Sequence, residues 1–478
     1  MPWIDDVIGW WNPRAGYKRA RDRLAMRQIR SYEAARNDRR TAGWISSNTS
    51  ANAEIGPAIS RLINRSREQV QNNPYATRAI ASMVSNAIGT GITAKMDTAQ
   101  DVWKTWTEEC DAEGQHDFYG LQALAARTAF ESGSALIRLR ARRPEDGLTV
   151  PLQLQVMEPD FLDYNKTMAL PNGGRIVYGV ELDPLDRRAA YWLFPRHPGD
   201  IAQYSAGLQS RRVPADQVLH IYEKLRPSQL LGVPKLASAL MKMRELDDYE
   251  DAELMRKKIE ACFAGFVTSP EDSAAIGQQV TTDGKTVESL EPGLIQYLRP
   301  GEEITFGTPG AAVGYAEYTR TQLHAIAAGA GITYEQLTGD LSQVNYSSMR
   351  AGMTEFRRMM SMWQWLTFIP MFCAPVARAF ATTGYLSGVI KQPKIDAEWT
   401  TPKWDYVNPA EDVQASKEAI KGGLKSLSEC VREQGYDPLM VFAEISEERK
   451  LLASLGIKLD TDIASIPAAT STRTGAKA

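Results

Sequence analysis

The sequence predicts a mainly α-helical protein with inserted β regions, an α+β fold. Apolar residues recur with helical spacing over residues 46–89 and 118–132, and again over 235–263 and 316–331. Between about 134 and 222, polar and apolar residues instead alternate with a period of two, and β-branched residues are frequent. A chain of 478 residues suggests two to four folding units or one elongated, modular subunit.

The N-terminal region carries an uneven charge. Residues 14–40 contain ten Lys and Arg against three Asp and Glu, although the net charge of the whole chain is only −3. Such a run usually forms a solvated helix or arm. The more specific alternative is that it contacts a polyanion. The two helical pieces that follow should be separated at Asn73-Pro74, because the residue before a proline avoids helical geometry.

The predicted β region at 134–222 consists of short strand-like segments. They read ALIRLRAR, LQLQVM, RIVYGVEL, AAYWLF and QVLHIY, and each alternates in polarity or carries β-branched residues. The sequences PNGG and RHPGD between them are turn signals. This pattern predicts a small β domain between helices.

The helix predicted at 235–263 carries a dense run of acids, ELDDYEDAE, followed by basic residues. This order suits the helix dipole, and Glu253 and Lys257 have the spacing that favours an ion pair. The six acids are Glu245, Asp247, Asp248, Glu250, Asp251 and Glu253. Residues 264–312 then form a β-containing excursion between this helix and the one at 316–331.

The stretch GDLSQVNYSSMRAGMTEFRRMM, residues 339–360, joins a loop of small polar residues to a helix. The helix has an apolar face of Met349, Met353, Phe356, Met360 and Trp363, and beside it a polar stripe of Arg350, Thr354, Arg357, Ser361 and Gln364. Ser347 or Ser348 should cap its N-terminus. The loop offers hydroxyl and amide groups without fixed positive charge, which suits weak contact with phosphates or sugars and no sequence readout.

Motifs for catalysis are weak in this sequence. Gly89, Gly91 and Ala94 have the spacing of a dinucleotide-binding loop, but the preceding segment has a helical pattern, so a helix-terminating turn is expected. No P-loop and no GxSxG motif occurs. His220 lies in strand-like sequence and should be a core histidine with satisfied hydrogen bonds. The sequence therefore predicts no enzyme.

Metal and membrane signals are also weak. The carboxylates of MEPDFLD, Glu158, Asp160 and Asp163, could bind a cation, but turn-forming surface carboxylates are the simpler interpretation. The four cysteines lie far apart and the four histidines lack metal-ligand spacing, so we expect reduced thiols, no metal and no cofactor. Residues 363–381 are apolar but broken by prolines and Arg378, which predicts a buried, kinked helix in a soluble protein.

Four segments, taken in order, carry a family resemblance. They are SREQVQNNPYATRAIASMVSNAIGTGI (66–92), RRVPADQVLHIYEKLRPSQLLGVPKLASAL (211–240), GITYEQLTGDLSQVNYSSMRAGMTEFRR (331–358) and NPAEDVQASKEAIKGGLKSLSECVREQGYDP (408–438). Together they resemble the lambda-type portal proteins of tailed bacteriophages. The strand-like spans between them carry little of the resemblance.

The resemblance implies a ring of twelve subunits that replaces one pentamer at a single capsid vertex and conducts double-stranded DNA during packaging and ejection. It also implies the wing, stem, clip and crown of the portal fold. The implied subdomains are an N-terminal arm and wing at 1–234, stem helices at 235–263 and 313–331 with a clip at 264–312 between them, a tunnel loop and long wing helix at 332–399, a crown at 400–460 and a disordered tail at 461–478.

The resemblance further implies where DNA and neighbouring subunits lie. A neutral loop would let DNA slide, because affinity for phosphate rises with each neutralised charge. The tunnel-loop candidates at 339–347 are Ser342, Gln343, Asn345, Tyr346, Ser347 and Ser348. The six stem acids are candidates to face the channel and repel the duplex. Arg350, Arg357 and Arg358 are candidates to meet acids of a neighbouring subunit, in preference to DNA.

The implied partners are the large terminase and later a head–tail connector at the clip, with major capsid and scaffold proteins around the wing. The expected location is the virion, with assembly in the host cytoplasm. Two alternatives remain at this point. One is a minor head or adaptor protein without a DNA channel, and the other is a metal-dependent nuclease that uses the acids at 158–163.

Overall fold

The computed structural model describes residues 10–15, 18–19, 21–22, 39, 43, 47–200, 208–261, 265–268, 278–282, 285–289, 303–306, 314–342, 345–404 and 408–457. The chain divides into two units, Met1–Ser50 and Ala51–Ala478. All elements below belong to the second unit. Most of the predicted basic helix at 14–40 and the predicted disordered tail at 461–478 lie outside the described residues.

The first helices of the second unit are α1 (Ala51–Ile55), α2 (Ile59–Asn72), α3 (Pro74–Ala87), α4 (Gln100–Glu109) and α5 (Phe118–Ser132). The predicted break at Asn73-Pro74 is confirmed. Asn73 is extended (φ −98°, ψ 120°), and its side-chain oxygen accepts a hydrogen bond from the backbone N–H of Ala76. One residue thus ends α2 and caps α3.

The glycine-containing turn after α3 connects a helix to a strand. Gly89 and Gly91 both have positive φ, 51° and 117°, and β1 (Thr93–Met96) follows them. The prediction of a helix-terminating turn is therefore confirmed. Strand β1 pairs antiparallel with β14 (Ala397–Thr400), which joins two segments some three hundred residues apart.

The β region contains β2 (Ser134–Ala141), β3 (Leu152–Met157), β4 (Met168–Ala169), β5 (Arg175–Val177), β6 (Val180–Leu182), β7 (Arg188–Leu193), β8 (Arg211–Pro214) and β9 (Val218–Tyr222). They form a three-stranded sheet in the order β3-β2-β9 and a five-stranded sheet in the order β4 to β8. The prediction of a β region is confirmed. RIVYGVEL is however two strands, because Tyr178 and Gly179 both have positive φ and make a tight turn.

Two apolar cores hold these elements together. The larger one joins α3 to α5 with the later helices, and the smaller one lies against α2 and between strands of the two sheets. His220 on β9 is buried, at 7% exposure, as predicted for a core histidine. Its Nδ1 has no hydrogen-bond partner among the described residues, so the expectation of satisfied hydrogen bonds is wrong. Burial and the nearby Arg188 lower the pKa of His220 to about 3.

The C-terminal half returns to helices: α6 (Leu240–Ala261), α7 (Tyr315–Ala330), α8 (Tyr334–Thr338), α9 (Tyr346–Trp363), a π-helix (Gln364–Cys373), α10 (Ala374–Leu386), α11 (Pro409–Lys421), α12 (Leu427–Glu433) and α13 (Pro438–Ser454). Four strands lie between α6 and α7: β10 (Gly265–Thr268), β11 (Gln278–Thr282), β12 (Lys285–Ser289) and β13 (Glu303–Phe306). Here β10 pairs with β13 and β11 with β12. The predicted β-containing excursion between two helices is confirmed.

The long apolar helical segment Ser347–Leu386 could cross a membrane if judged by length and composition alone. Core helices pass the same test, and this segment buries Phe368, Phe372 and Phe380 completely within the protein. Pro370 lies inside the π-helix, where the altered hydrogen-bond ladder accommodates a residue without an N–H. The segment therefore packs as the buried, irregular helix that the sequence predicts.

Candidate functional site

The predicted stem helices α6 and α7 pack side by side and antiparallel. Near one end, Ser238, just before α6, donates a hydrogen bond from its Oγ to the carbonyl of Gly329 (3.0 Å). Further along, the rings of Tyr249 and Tyr318 lie 4.7 Å apart. At the other end, Lys257 lies 5.2 Å from the centre of the Tyr315 ring. This pair holds the ends of the strand-containing segment 265–306 next to each other.

The six acids of α6 lie on two different faces. Glu245, Asp248 and Asp251 are exposed and recur every three residues. The other three, Asp247, Glu250 and Glu253, follow the same spacing on the side turned toward the protein, where Glu250 is half-buried. This corrects the expectation that all six acids could share one surface.

Two of the three inward acids have partners within the subunit. An oxygen of Asp247 accepts a hydrogen bond from Asn73 Nδ2 (2.7 Å), and burial raises the pKa of Asp247. Glu253 pairs with Arg256, with 2.6 Å between oxygen and nitrogen, and not with Lys257 as the spacing suggested. The exposed Asp248 also has a partner, Arg244 (2.9 Å), so exposure and not the lack of a partner makes Glu245, Asp248 and Asp251 the better candidates for a channel wall.

The loop that follows α8 is fixed at its start and exposed beyond it. Arg78 on α3 donates a hydrogen bond from Nε to the carbonyl of Gln336 (2.8 Å) and lies against Gly339. An oxygen of Asp340 accepts from the backbone N–H of Ser342 (2.9 Å), which makes a local turn. The next residue outward, Leu341, has 62% of its surface exposed. A firm base thus carries a loop with accessible side chains.

Helix α9 begins earlier than the sequence suggested. Asn345 is the N-cap, because its side-chain oxygen accepts from the backbone N–H of Ser348 (2.8 Å). Ser347 and Ser348 were the expected caps, but they lie with Tyr346 in the first turn of the helix. Of the predicted loop residues, only Ser342 and Asn345 remain before the helix among the described residues, and Gln343 lies outside them.

The apolar face of α9 packs into the core toward its C-terminal end. Phe356, Met360 and Trp363 are at most 6% exposed, whereas Met349 near the loop is 37% exposed. Beyond them, the buried Gln364 donates from Nε2 to the carbonyl of Ala87 (2.6 Å) and ties the helix to α3. The helix is anchored at one end, and its other end carries the loop.

The three arginines predicted to meet a neighbouring subunit differ in their surroundings. Arg350 lies 3.6 Å from Glu411 and 3.4 Å from Asp412 of its own chain. Arg357 lies 5.5 Å from the ring centre of Trp404. Arg358 is exposed and lines an open groove of about 510 Å³. The prediction of contact across subunits stays open for all three, and Arg350 and Arg358 are both exposed.

The acids considered for a metal site are held by an arginine. Glu158, Asp160 and His197 lie close enough to share an ion. However, Arg67 lies 2.6 Å from Asp160 and 3.4 Å from Glu158, so a cation already neutralises the group. Asp163 accepts a hydrogen bond from Ser210 Oγ (2.6 Å). These contacts favour surface carboxylates with structural partners over a nuclease centre.

The elements described above extend over the region that matches a known family. A family model described as "Phage portal protein, lambda family" matches residues 37–364, more than half of the chain. The chain belongs to the lambda family of phage portal proteins. The matched region includes the β region, both predicted stem helices and the loop with its long helix. The family is structural and is not an enzyme family.

Curated relatives agree with the family match. The chain is 28% identical over 465 residues to the probable portal protein of Halomonas phage phiHAP-1, which covers 90% of this chain and 88% of the relative. It is 23% identical to the portal protein of Escherichia phage N15, over 66% of this chain and 67% of the relative. It is 24% identical to portal protein B of Escherichia phage lambda, over 29% and 30%.

Solved structures of related type are similar in part. The neck of a native gene transfer agent particle contains a chain that is 17% identical, with a TM-score of 0.45, covering 79% of this chain and 94% of that one. An HK97-family phage portal protein from Corynebacterium diphtheriae is 11% identical, with a TM-score of 0.34, covering 73% and 96%.

Proposed function

We propose that this chain assembles into a ring of twelve subunits at one capsid vertex and that double-stranded DNA passes through the centre of the ring. Membership of the portal family is the observation that carries this proposal. Within the ring, α6 and α7 form the stem, the strands between them the clip, and residues 339–345 the tunnel loop. Helices α11 to α13 form the crown.

The geometry of the loop supports this role. Head-to-tail contacts repeat each residue around a ring axis, so one short loop becomes a continuous collar. Ser342 and Asn345 offer neutral polar groups, and Arg78 holds the base of the loop in place. Residues 339–345 contain no Lys or Arg, so the collar contacts phosphates without the strong grip that a ring of cations would exert.

The partners follow from the same proposal. The terminase motor docks on the clip, and the head–tail connector later takes the same face. Capsid and scaffold proteins surround the wing, and the protein resides in the virion after assembly in the host cytoplasm. A minor head or adaptor protein is the alternative, and no particular contact in the described residues favours it.

The mass of the purified protein tests the ring. Twelve subunits of 53.0 kDa give 636 kDa, so we expect light scattering near this mass and rings with a central hole in negative stain. Rings of eleven or thirteen subunits also fit a portal assembled outside a capsid. Monomers or dimers that persist when scaffold protein is added would favour the adaptor alternative.

The exposed acids of α6 provide a test of the channel wall. We expect Glu245→Gln, Asp248→Asn and Asp251→Asn together to slow DNA packaging or stall it, because the wall loses the charge that repels phosphates. The measurement is the rate and extent of packaging into empty heads that carry the variant ring. The matched control removes three exposed acids elsewhere, Asp97, Glu113 and Glu145. If both variants package DNA at the same rate and to the same extent as the unchanged protein, these acids do not line the channel.

A further inference from the structure

Strand β2 carries a row of arginines that the proposed channel does not use. Arg138, Arg140 and Arg142 occupy alternate positions along and just beyond the strand, so they project from the same face of the sheet. Two residues of a strand advance about 6.7 Å, so the three residues are evenly spaced along the backbone. All three are half-buried and reachable from solvent.

The partners of these arginines are neutral. Arg138 donates from Nη2 to Gln217 Oε1 (3.0 Å), Arg140 from Nε to Gln155 Oε1 (3.0 Å) and Arg142 from Nε to Gln153 Oε1 (2.8 Å). In the part of the chain that the structure describes, no carboxylate lies within 4.0 Å of these guanidinium groups. Glutamines therefore hold the row in position, and no close ion pair neutralises it among the described residues.

Two other arginines of the β region have acidic partners. Arg175 lies 2.7 Å from Asp186, and Arg212 lies 2.8 Å from Glu181. The missing acids along β2 are therefore not a general property of the region. Carboxylates in place of the glutamines would neutralise the row, whereas glutamine only orients the guanidinium groups.

This arrangement is unfavourable for the isolated subunit. Burial and the neighbouring Arg140 lower the pKa of Arg138, although Asp216 partly offsets this, and burial together with Arg142 lowers the pKa of Arg140. In addition, Nη1 of Arg138 has no hydrogen-bond partner among the described residues. An anion bound along the row would relieve the repulsion between these guanidinium groups.

We propose that Arg138, Arg140 and Arg142 bind the phosphodiester backbone of DNA. An arginine presents five N–H donors in a rigid fork that matches a phosphate, and each glutamine occupies only part of that fork. A linear row suits a chain with one charge per repeat better than a single small anion, which one arginine would satisfy. The proposal rests on the proposed function only for the source of the DNA.

The site differs in kind from the tunnel loop. A cationic row holds a duplex in place, because each neutralised phosphate adds affinity. Such a contact suits a stationary segment of DNA and not one that is sliding past a collar without Lys or Arg. The β region therefore provides a static DNA contact.

The test is DNA binding by the full-length protein as a function of salt. The triple variant Arg138→Gln, Arg140→Gln, Arg142→Gln should reduce the slope of log affinity against log salt by about 2.7, at about 0.9 per lost phosphate contact, for a labelled short duplex between about 50 and 200 mM salt. The matched control removes three arginines that have carboxylate partners, Arg127, Arg175 and Arg226. It changes the net charge equally and should leave most of the slope in place.

Three results would overturn the proposal. They are equal losses in both triple variants, an unchanged slope in the β2 variant, and loss of polyglutamate binding with duplex binding intact, which would assign the row to an acidic protein segment. The melting temperature should be unchanged or higher, because repulsion is removed. If the triple variant does not fold, Arg140→Gln alone should reduce the slope by about 0.9. The ring mass is measured on the same samples. It distinguishes failure of the DNA-binding proposal from failure of the proposed ring assembly.

Discussion

Replacing Gly232 with alanine is expected to prevent folding or to lower the unfolding temperature more than any other single change considered. A Cβ at this position would lie 1.9 Å from the carbonyl oxygen of Gly133. Both groups are backbone, so neither can turn aside as a flexible side chain would. The N–H of Gly232 also donates to Ser134 Oγ (3.0 Å), which fixes this crossing at the start of β2.

The crossing is close from both sides, because a Cβ added at Gly133, which has a φ of 83°, would lie 2.5 Å from the backbone of Val233. Separation of the two segments would disturb β2, the central strand of its sheet. We therefore expect the free energy of unfolding to fall by more than about 3 kcal/mol. Thermal unfolding and the yield of soluble protein measure it. Gly352→Ala is the control, because its Cβ would meet only a methyl group at 3.3 Å and alanine favours the helix. Equal melting temperatures for the two variants would show that the crossing is not tight.

Local signals explain which parts of the fold could be predicted from the sequence. The Asn73-Pro74 break, helix α5 and the turn at Gly89 each depend on residues within a few positions of one another. The pairing of β1 with β14 has no such signal, because it joins distant segments. Helix α4 is not among the predicted elements, although Trp103 and Trp106 show helical spacing and are both buried.

The candidate site also contains some features that the sequence could predict and others that it could not. The acids of α6 could have been separated by their period, since residues three apart share a face. What the sequence could not show is that Asn73, the residue between α2 and α3, would take Asp247 as its partner. The start of α9 was misplaced because Asn345 and the serines at 347 and 348 are all good caps. Tertiary packing selects among them.

Truncation of Phe380 is expected to cost about 3–5 kcal/mol of folding free energy. Its ring lies 5.0 Å from Trp103 and 5.1 Å from Trp106, in a cluster that is almost completely buried. The Phe380→Ala change leaves a cavity between α10 and α4 and removes two aromatic contacts. Thermal unfolding should show the loss, and near-ultraviolet circular dichroism should show a weaker tryptophan signal.

Leu366→Ala is the matched control, because Leu366 lies in the same long helical segment but is 70% exposed. A change at an exposed position usually alters stability by less than about 0.5 kcal/mol. Similar losses of stability in both variants would mean that another subunit covers Leu366. In that case, dilution below the concentration needed for assembly would abolish the loss in the Leu366→Ala variant and leave the loss in the Phe380→Ala variant unchanged. The cluster around Phe380 packs the far end of the helical segment whose first turn follows the proposed tunnel loop. This packing therefore supports the segment that carries the loop proposed to line the channel.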